Sequence, residues 1–295
     1  MEKKRKCWIP SFLCLVFLLH SSASATTTSA GGPKPGRQNQ QFVLVHGACH
    51  GAWSWYKLLG LLRSSGHNAT AVDLGAAGIN PKGVLELRRQ ADYFRPLMEF
   101  MASVPAGRKQ VILVAHSLGG LAVSKAMEEF PEKISVAVFV TALMPGPSLN
   151  ATTVMRETNR GNASQLDNLF TFDNGLNNPP TTFIFGPNYL AANLYQLSPI
   201  EDLALASTVL RPIHLYSEKE VSKEMVLSDK QYGSVKRVFI ISGQDKVVRK
   251  EFQEWMIKKN PPDEVKEVLG SDHMVMMSKP FQLFHLLQKI AHSHS

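Results

Sequence analysis

The chain has 295 residues, 44 % of them hydrophobic, enough to bury the core of one large α/β domain with an insertion. Its formal net charge is +8, but Lys3, Lys4, Arg5 and Lys6 against Glu2 supply about three units of that. Beyond this start the basic residues alternate with acids, as in residues 251–266, which excludes the basic stripe that a nucleic-acid partner would need.

The first elements are those of a targeting segment. The basic residues precede a short apolar core at residues 12–19, and Ala23-Ser24-Ala25 fits the small-x-small cleavage rule. Residues 1–25 therefore read as a secretory signal peptide, and residues 26–40, rich in Ser, Thr, Pro and Gly, as a linker. The apolar core is shorter than the roughly 20 residues of a membrane span, so no stable span is expected. The expected location is the secretory pathway, extracellular or vacuolar, with a plastid as the alternative because Ser and Thr are frequent up to Ser29. Three sequons, at Asn68, Asn150 and Asn162, suit a glycosylating compartment. Cys7 and Cys14 would leave with the signal, so Cys49 has no partner for an intramolecular disulfide.

From residue 41 onward strand and helix patterns alternate. Phe42-Val43-Leu44-Val45 predicts a buried strand running into the loop His46-Gly47-Ala48. An amphipathic helix follows at residues 53–65, a short strand at 69–72 and a further helix at 87–104. The β-branched run from Val111 ends at Ser117, which opens a helix at residues 119–129, and residues 135–140 form the next buried strand. Such alternation predicts a mostly parallel sheet with helices on both faces. Residues 144–216 break the rhythm with Asn, Pro and Gly turns and short apolar pieces such as Phe183-Ile184-Phe185, and are expected to form an inserted cap. Strands at residues 235–241 and 265–269 complete the domain, which spans residues 41–295.

The chemistry is carried by the ends of these strands. Ala115-His116-Ser117-Leu118-Gly119 has the form of a nucleophile elbow, a turn so sharp that only small residues fit two positions either side of the serine. Serine near pH 7 needs a base to take its proton and an acid to orient that base. The order serine, acid, histidine is met by Ser117, by Asp245 in the turn after strand 235–241, and by His273 in the loop after strand 265–269. Asp272 competes for the acid role, but as a sequence neighbour of His273 it is poorly placed to reach across to that ring. A tetrahedral intermediate needs two amide donors, expected from Leu118 and Ala48. His50, His67, His214 and His285 stand apart, and His292 and His294 lie in the tail. No metal-ligand spacing is present, so neither metal nor cofactor is expected.

The stretches Phe42 to Lys57, Ala71 to Pro81, His116 to Gly120, Phe185-Gly186-Pro187, Leu203 to Ala206, Tyr232 to Arg237 and Asp272-His273-Met274 resemble the plant methylesterase and hydroxynitrile lyase family of α/β hydrolases. The resemblance implies the α/β-hydrolase fold and hydrolysis of small methyl esters of the methyl salicylate, methyl jasmonate or methyl indole-3-acetate type. It also implies that Gly47 and Met274 border the substrate pocket, where lyases of the family carry threonine or asparagine and, in one group, lysine. Esterase is thus preferred to lyase, since a thioether supplies no positive charge to departing cyanide. A ligand-binding receptor with slow turnover is the other alternative. Family members usually have a tryptophan in the cap, whereas Trp8, Trp53, Trp55 and Trp255 all lie outside it, so a differently shaped acyl pocket is expected. The expected partners are a small apolar methyl ester and its acid product, and a homodimer is left open.

Overall fold

The computed structural model describes residues 41–107, 110–160 and 164–294; the expected signal peptide, the linker and the sequon at Asn162 lie outside them. In chain order the strands are β1 (Gln41–Val45), β2 (Asn68–Val72), β3 (Val111–His116), β4 (Ile134–Val140), β5 (Leu169–Thr171), β6 (Thr182–Ile184), β7 (Ile213–His214), β8 (Arg237–Ser242) and β9 (Glu264–Val268). Six of them form one sheet in the order β2-β1-β3-β4-β8-β9, parallel throughout. The α/β-hydrolase architecture expected from the sequence is therefore present.

The central strands read as continuous apolar runs because both faces of the sheet are covered. Val43, Val45, Leu113, Ala115 and Phe139 belong to the core on one face, while Phe42, Leu44, Ile112, Val114 and Val138 belong to the core on the other. Helices α2 (Gln90–Ser103) and α3 (Gly119–Glu129) cover the first face, with Leu97, Met101, Leu121 and Met127 fully buried. Helix α1 (Tyr56–Ser64) and the last helix, Pro280–Ser293, cover the second with Leu58, Leu62, Leu283 and Leu287. Each such side chain contributes about 1.5–3 kcal/mol when fully buried.

Two helix starts differ from the pattern-based reading. The helix expected from residue 53 enters through a 3-10 turn, Ala52–Trp55, before α1 begins. The helix expected from residue 87 begins at Gln90, because the Asp92 carboxylate accepts the Arg89 amide and caps that end.

Between β4 and β8 lies the segment that sequence periodicity could not resolve. It holds helix α4 (Ala151–Asn159), a helical stretch from Pro187 to Leu194, the helix Ile200–Val209 and the antiparallel sheet β5-β6-β7. Strands of two or three residues are too short to display alternation.

Strand order reverses beside β1, which has β2 on one side and β3 on the other. Ligands of open α/β sheets bind outside the carboxyl ends of strands at such a point. The backbone there is packed without slack. A Cβ on Gly120 would lie 2.0 Å from the Leu143 carbonyl oxygen, and one on Gly119 would lie 2.4 Å from that of His46. Gly60, on the exposed side of α1, has nothing within 4 Å of the same atom. Gly120→Ala is therefore expected to destabilise the protein by about 3 kcal/mol or more, and Gly60→Ala to stabilise it by about 1 kcal/mol; urea-unfolding midpoints of the two variants check both signs.

Candidate active site

Strand β3 delivers Ser117 to the end of the sheet, and the chain turns there so abruptly that Ser117 takes φ +52°. A left-handed conformation costs a non-glycine residue of order 1–3 kcal/mol. Its surroundings hold it in place: the Ser117 carbonyl accepts the Gly120 amide at 3.1 Å and the Leu143 amide at 2.9 Å. Gly47, after β1, faces the turn, and a Cβ there would approach Ser117 Cβ to 2.8 Å and Oγ to 3.3 Å.

The three candidate side chains are hydrogen-bonded in a row. His273 Nε2 lies 3.0 Å from Ser117 Oγ, and Nδ1 lies 2.7 Å from Asp245 Oδ2. Asp245 and His273 are both buried. Every lone-pair direction of the carboxylate is in use: Oδ1 accepts the Val247 and Val248 amides at 2.7 and 2.9 Å, and Oδ2 also accepts the Thr141 hydroxyl at 2.5 Å. These bonds fix the Asp245 plane, so Nδ1 carries the proton and Nε2 faces the serine. Thr141, just past β4 with φ +40°, is a site residue that no sequence motif announced.

Asp272 does not compete for the acid role. Its Oδ2 accepts the Leu197 amide at 3.0 Å and the Ser198 hydroxyl at 2.8 Å, both from the segment between β4 and β8, while Oδ1 accepts the Met274 amide. Ser242, at the end of β8, donates to the Asp272 carbonyl at 2.6 Å. The loops after β8 and β9 are thereby joined.

Three buried imidazoles surround the elbow. His46 donates from Nδ1 to the Gly47 carbonyl and accepts the Leu74 amide at Nε2. His116 donates from Nε2 to the His273 carbonyl at 2.8 Å, with ring centroids 4.7 Å apart. His50, isolated in the sequence, donates to the Ala48 carbonyl and accepts the Tyr195 hydroxyl, each at 2.7 Å. Burial lowers the pKa of all three, that of His50 to about 3, so each is a neutral positioning group. Cys49 beside them has its thiol pushed up to about 12 by burial, which keeps it protonated. No cluster of side chains suited to a metal ion occurs among the described residues.

A cavity of about 500 Å³ opens at Ser117, within the range of small-ligand sites. Ala48 and Leu118 border it beside the serine, and Met155, Phe170, Phe183 and Phe185 face it from the segment after β4. Gly47 and Met274 do not border it. Met274 is fully buried in the core on the α1 side of the sheet, and Gly47 gives clearance to the serine.

Sheet order, elbow and hydrogen-bonded row define a serine hydrolase, and residues 42–285 match the alpha/beta hydrolase family, to which the chain belongs. Its relatives are more particular. Methyl jasmonate esterase 1 of Vitis vinifera is 55 % identical over 88 % of this chain and 99 % of that protein. Salicylic acid-binding protein 2 of Nicotiana tabacum is 45 % identical over 88 % of this chain and its own full length. Among solved structures, tomato methylketone synthase I complexed with 2-tridecanone is 61 % identical, with a TM-score of 0.84, covering 87 % of this chain and 99 % of the other.

The three lowered imidazole pKa values set a pH dependence. In the unfolded chain these groups bind protons below their ordinary 6.5, whereas in the folded protein they stay neutral to lower pH. The unfolded state therefore holds more protons, and stability falls as pH drops below 6.5, by up to about 1.4 kcal/mol per pH unit for each group. Urea unfolding between pH 6.5 and 4.5, mostly above the range where carboxylates titrate, is expected to show this slope, and His50→Gln to make it shallower.

Proposed function

We propose that the protein is a carboxylesterase that cleaves methyl esters of small, largely apolar carboxylic acids, of the methyl jasmonate, methyl salicylate or methyl indole-3-acetate type. The observation that carries this reading is the row Ser117, His273, Asp245, set at the mouth of an apolar cavity. The naming of relatives as methyl jasmonate esterase and methylesterase supports it.

The reaction follows from the geometry. Ser117 Oγ attacks the ester carbonyl as its proton passes to His273 Nε2, and the Asp245 carboxylate supports the imidazolium that forms. The Ala48 and Leu118 amides receive the negative oxygen. Loss of one such donor typically costs a hundredfold to a thousandfold in rate. His273 then returns the proton to the departing methoxide, methanol leaves, and water repeats the cycle on the acyl-enzyme to release the acid. Residues 144–216 act as the cap that holds the acyl group and limits water around the developing charge. The residue after His273 is Met274, an uncharged thioether that turns into the core, so this position brings no ammonium to the cavity for cyanide release, which favours esterase over lyase.

The 61 % identity to tomato methylketone synthase I, whose structures hold β-ketoheptanoate and 2-tridecanone, favours a second reading in which the cavity also accepts linear 3-oxo acids. Loss of carbon dioxide from such an acid would give a methyl ketone, so product analysis separates the two activities.

The N-terminal pattern supports entry into the secretory pathway, with Asn68 and Asn150, both exposed, as glycan acceptors; a glycosidase-induced mobility shift of protein isolated from plant tissue tests it.

Incubated with a panel of methyl esters and 3-oxo acids, the purified protein is expected to release methanol from the esters. Ser117→Ala is expected to lower kcat by about a thousandfold or more while still binding ester. Thr141→Val is expected to lower kcat roughly tenfold to a hundredfold with KM little changed, since it frees Asp245 on one side; steady-state kinetics on the best ester measure both.

A further inference from the structure

The Ala48 amide, one of the two expected oxyanion donors, borders the cavity beside Ser117. Its direction depends on the two peptide planes that flank Ala48. His46 Nδ1 donates to the Gly47 carbonyl at 2.8 Å and holds the first plane. His50 Nδ1 donates to the Ala48 carbonyl at 2.7 Å and holds the second.

The second hold depends on a group 145 residues away. A carbonyl can only accept, so Nδ1 of His50 must carry the ring proton and Nε2 must accept one. Tyr195 supplies that donor. Its hydroxyl lies 2.7 Å from Nε2, and the two rings are stacked, with centroids 5.9 Å apart and planes 19° from parallel. His50 and Tyr195 are 1 % and 3 % exposed, so bulk water does not replace the hydroxyl.

Two further ties to the loop come from the same insertion between β4 and β8. The Arg211 amide donates to the Cys49 carbonyl at 3.1 Å, and the Cys49 thiol donates to the Phe183 carbonyl at 3.5 Å. Cys49 takes φ +62°, a left-handed conformation that persists only where its surroundings impose it. The insertion therefore shapes the chain immediately after the donor.

We infer that Tyr195 and His50 are positioning residues of the oxyanion site: the Tyr195 hydroxyl selects the His50 tautomer, and His50 in turn holds the Ala48 peptide at the aim the transition state requires. The inference rests on the esterase reading and adds to it two residues that do not border the cavity.

Loss of the hydroxyl has a defined consequence. With no donor at Nε2 the ring proton is free to move there, and a bare Nδ1 then faces the Ala48 carbonyl, acceptor against acceptor. The carbonyl loses its partner and the peptides around Ala48 relax. An oxyanion donor acts only where charge develops, so the loss falls on the transition state and spares ground-state binding.

Two ketones separate those states. When 1,1,1-trifluoro-2-octanone meets Ser117, the Oγ–carbon bond forms, the carbonyl π pair moves to oxygen and the serine proton passes to His273, which leaves an oxyanion between the Ala48 and Leu118 amides. 2-Octanone fills the same space without adding. Inhibition by both ketones and turnover of the best methyl ester are measured for Tyr195→Phe, His50→Asn, His50→Leu and the two double variants. Tyr195→Phe is expected to lower kcat roughly tenfold with KM unchanged, and to weaken the trifluoro ketone by the same factor relative to 2-octanone. His50→Asn, whose Nδ2 takes the place of Nδ1, is expected to keep kcat within about threefold of the wild type, while His50→Leu loses at least as much as Tyr195→Phe. Because Tyr195 acts through His50, adding Tyr195→Phe to either His50 variant is expected to cause no further loss. A Tyr195→Phe protein that keeps wild-type kcat, weakens both ketones equally or adds its full loss to that of the His50 variants overturns the assignment. Tyr195→Phe preserves the ring and removes one oxygen, so it and His50→Asn decide the matter even where His50→Leu does not fold. A wild type that cleaves no methyl ester yet shows this pattern with the ketones overturns the esterase reading alone, and one that forms no adduct overturns both.

Discussion

The close approach of three backbone segments at the end of the sheet is the constraint on which the rest depends. Gly119 lies against the His46 carbonyl, Gly120 against that of Leu143, and Gly47 against the Ser117 side chain. No side chain fits at these contacts, and the chain can pass only by turning sharply at Ser117, with positive φ. The strain is local, while the forces that hold it are spread over a sheet whose strands are buried on both faces. A large core thus maintains one unfavourable torsion, and that torsion lifts a hydroxyl clear of the backbone.

Around this turn the protein arranges uncharged rather than charged groups. His46, His50 and His116 are each engaged with backbone carbonyls and kept neutral by burial. Their fields add no competing full charge near the imidazolium that forms in the transition state. Asp245 is saturated by two amides, one hydroxyl and one imidazole, so its negative charge is directed at one ring nitrogen. Preorganised dipoles of this kind need no rearrangement as charge develops.

Much of this was legible in the sequence, and the parts that were have a common cause. The strands β1, β3, β4 and β8 are buried on both faces, so each reads as an unbroken apolar run. Ser117, Asp245 and His273 follow such runs or their edge neighbour β9, and their order along the chain is that of the fold. What stayed hidden depends on contacts distant in sequence. Thr141 looks like any residue after a strand until the Asp245 carboxylate is brought to it. His50 looks isolated until Tyr195 arrives from 145 residues away. The small sheet β5-β6-β7 is too short to leave a periodic trace. Met274, next to His273 in sequence, turns into the core because the Asp272 carboxylate captures its amide.

That capture has a mechanical side. One carboxylate, Asp272, grips the peptide leading out of His273 with one oxygen and the Leu197–Ser198 corner of the insertion with the other. The Leu197–Ser198 corner of the insertion and the peptide after His273 are consequently parts of one linkage, with a single side chain as its pin. The position of that corner is therefore tied to the backbone at His273 directly rather than through the sheet.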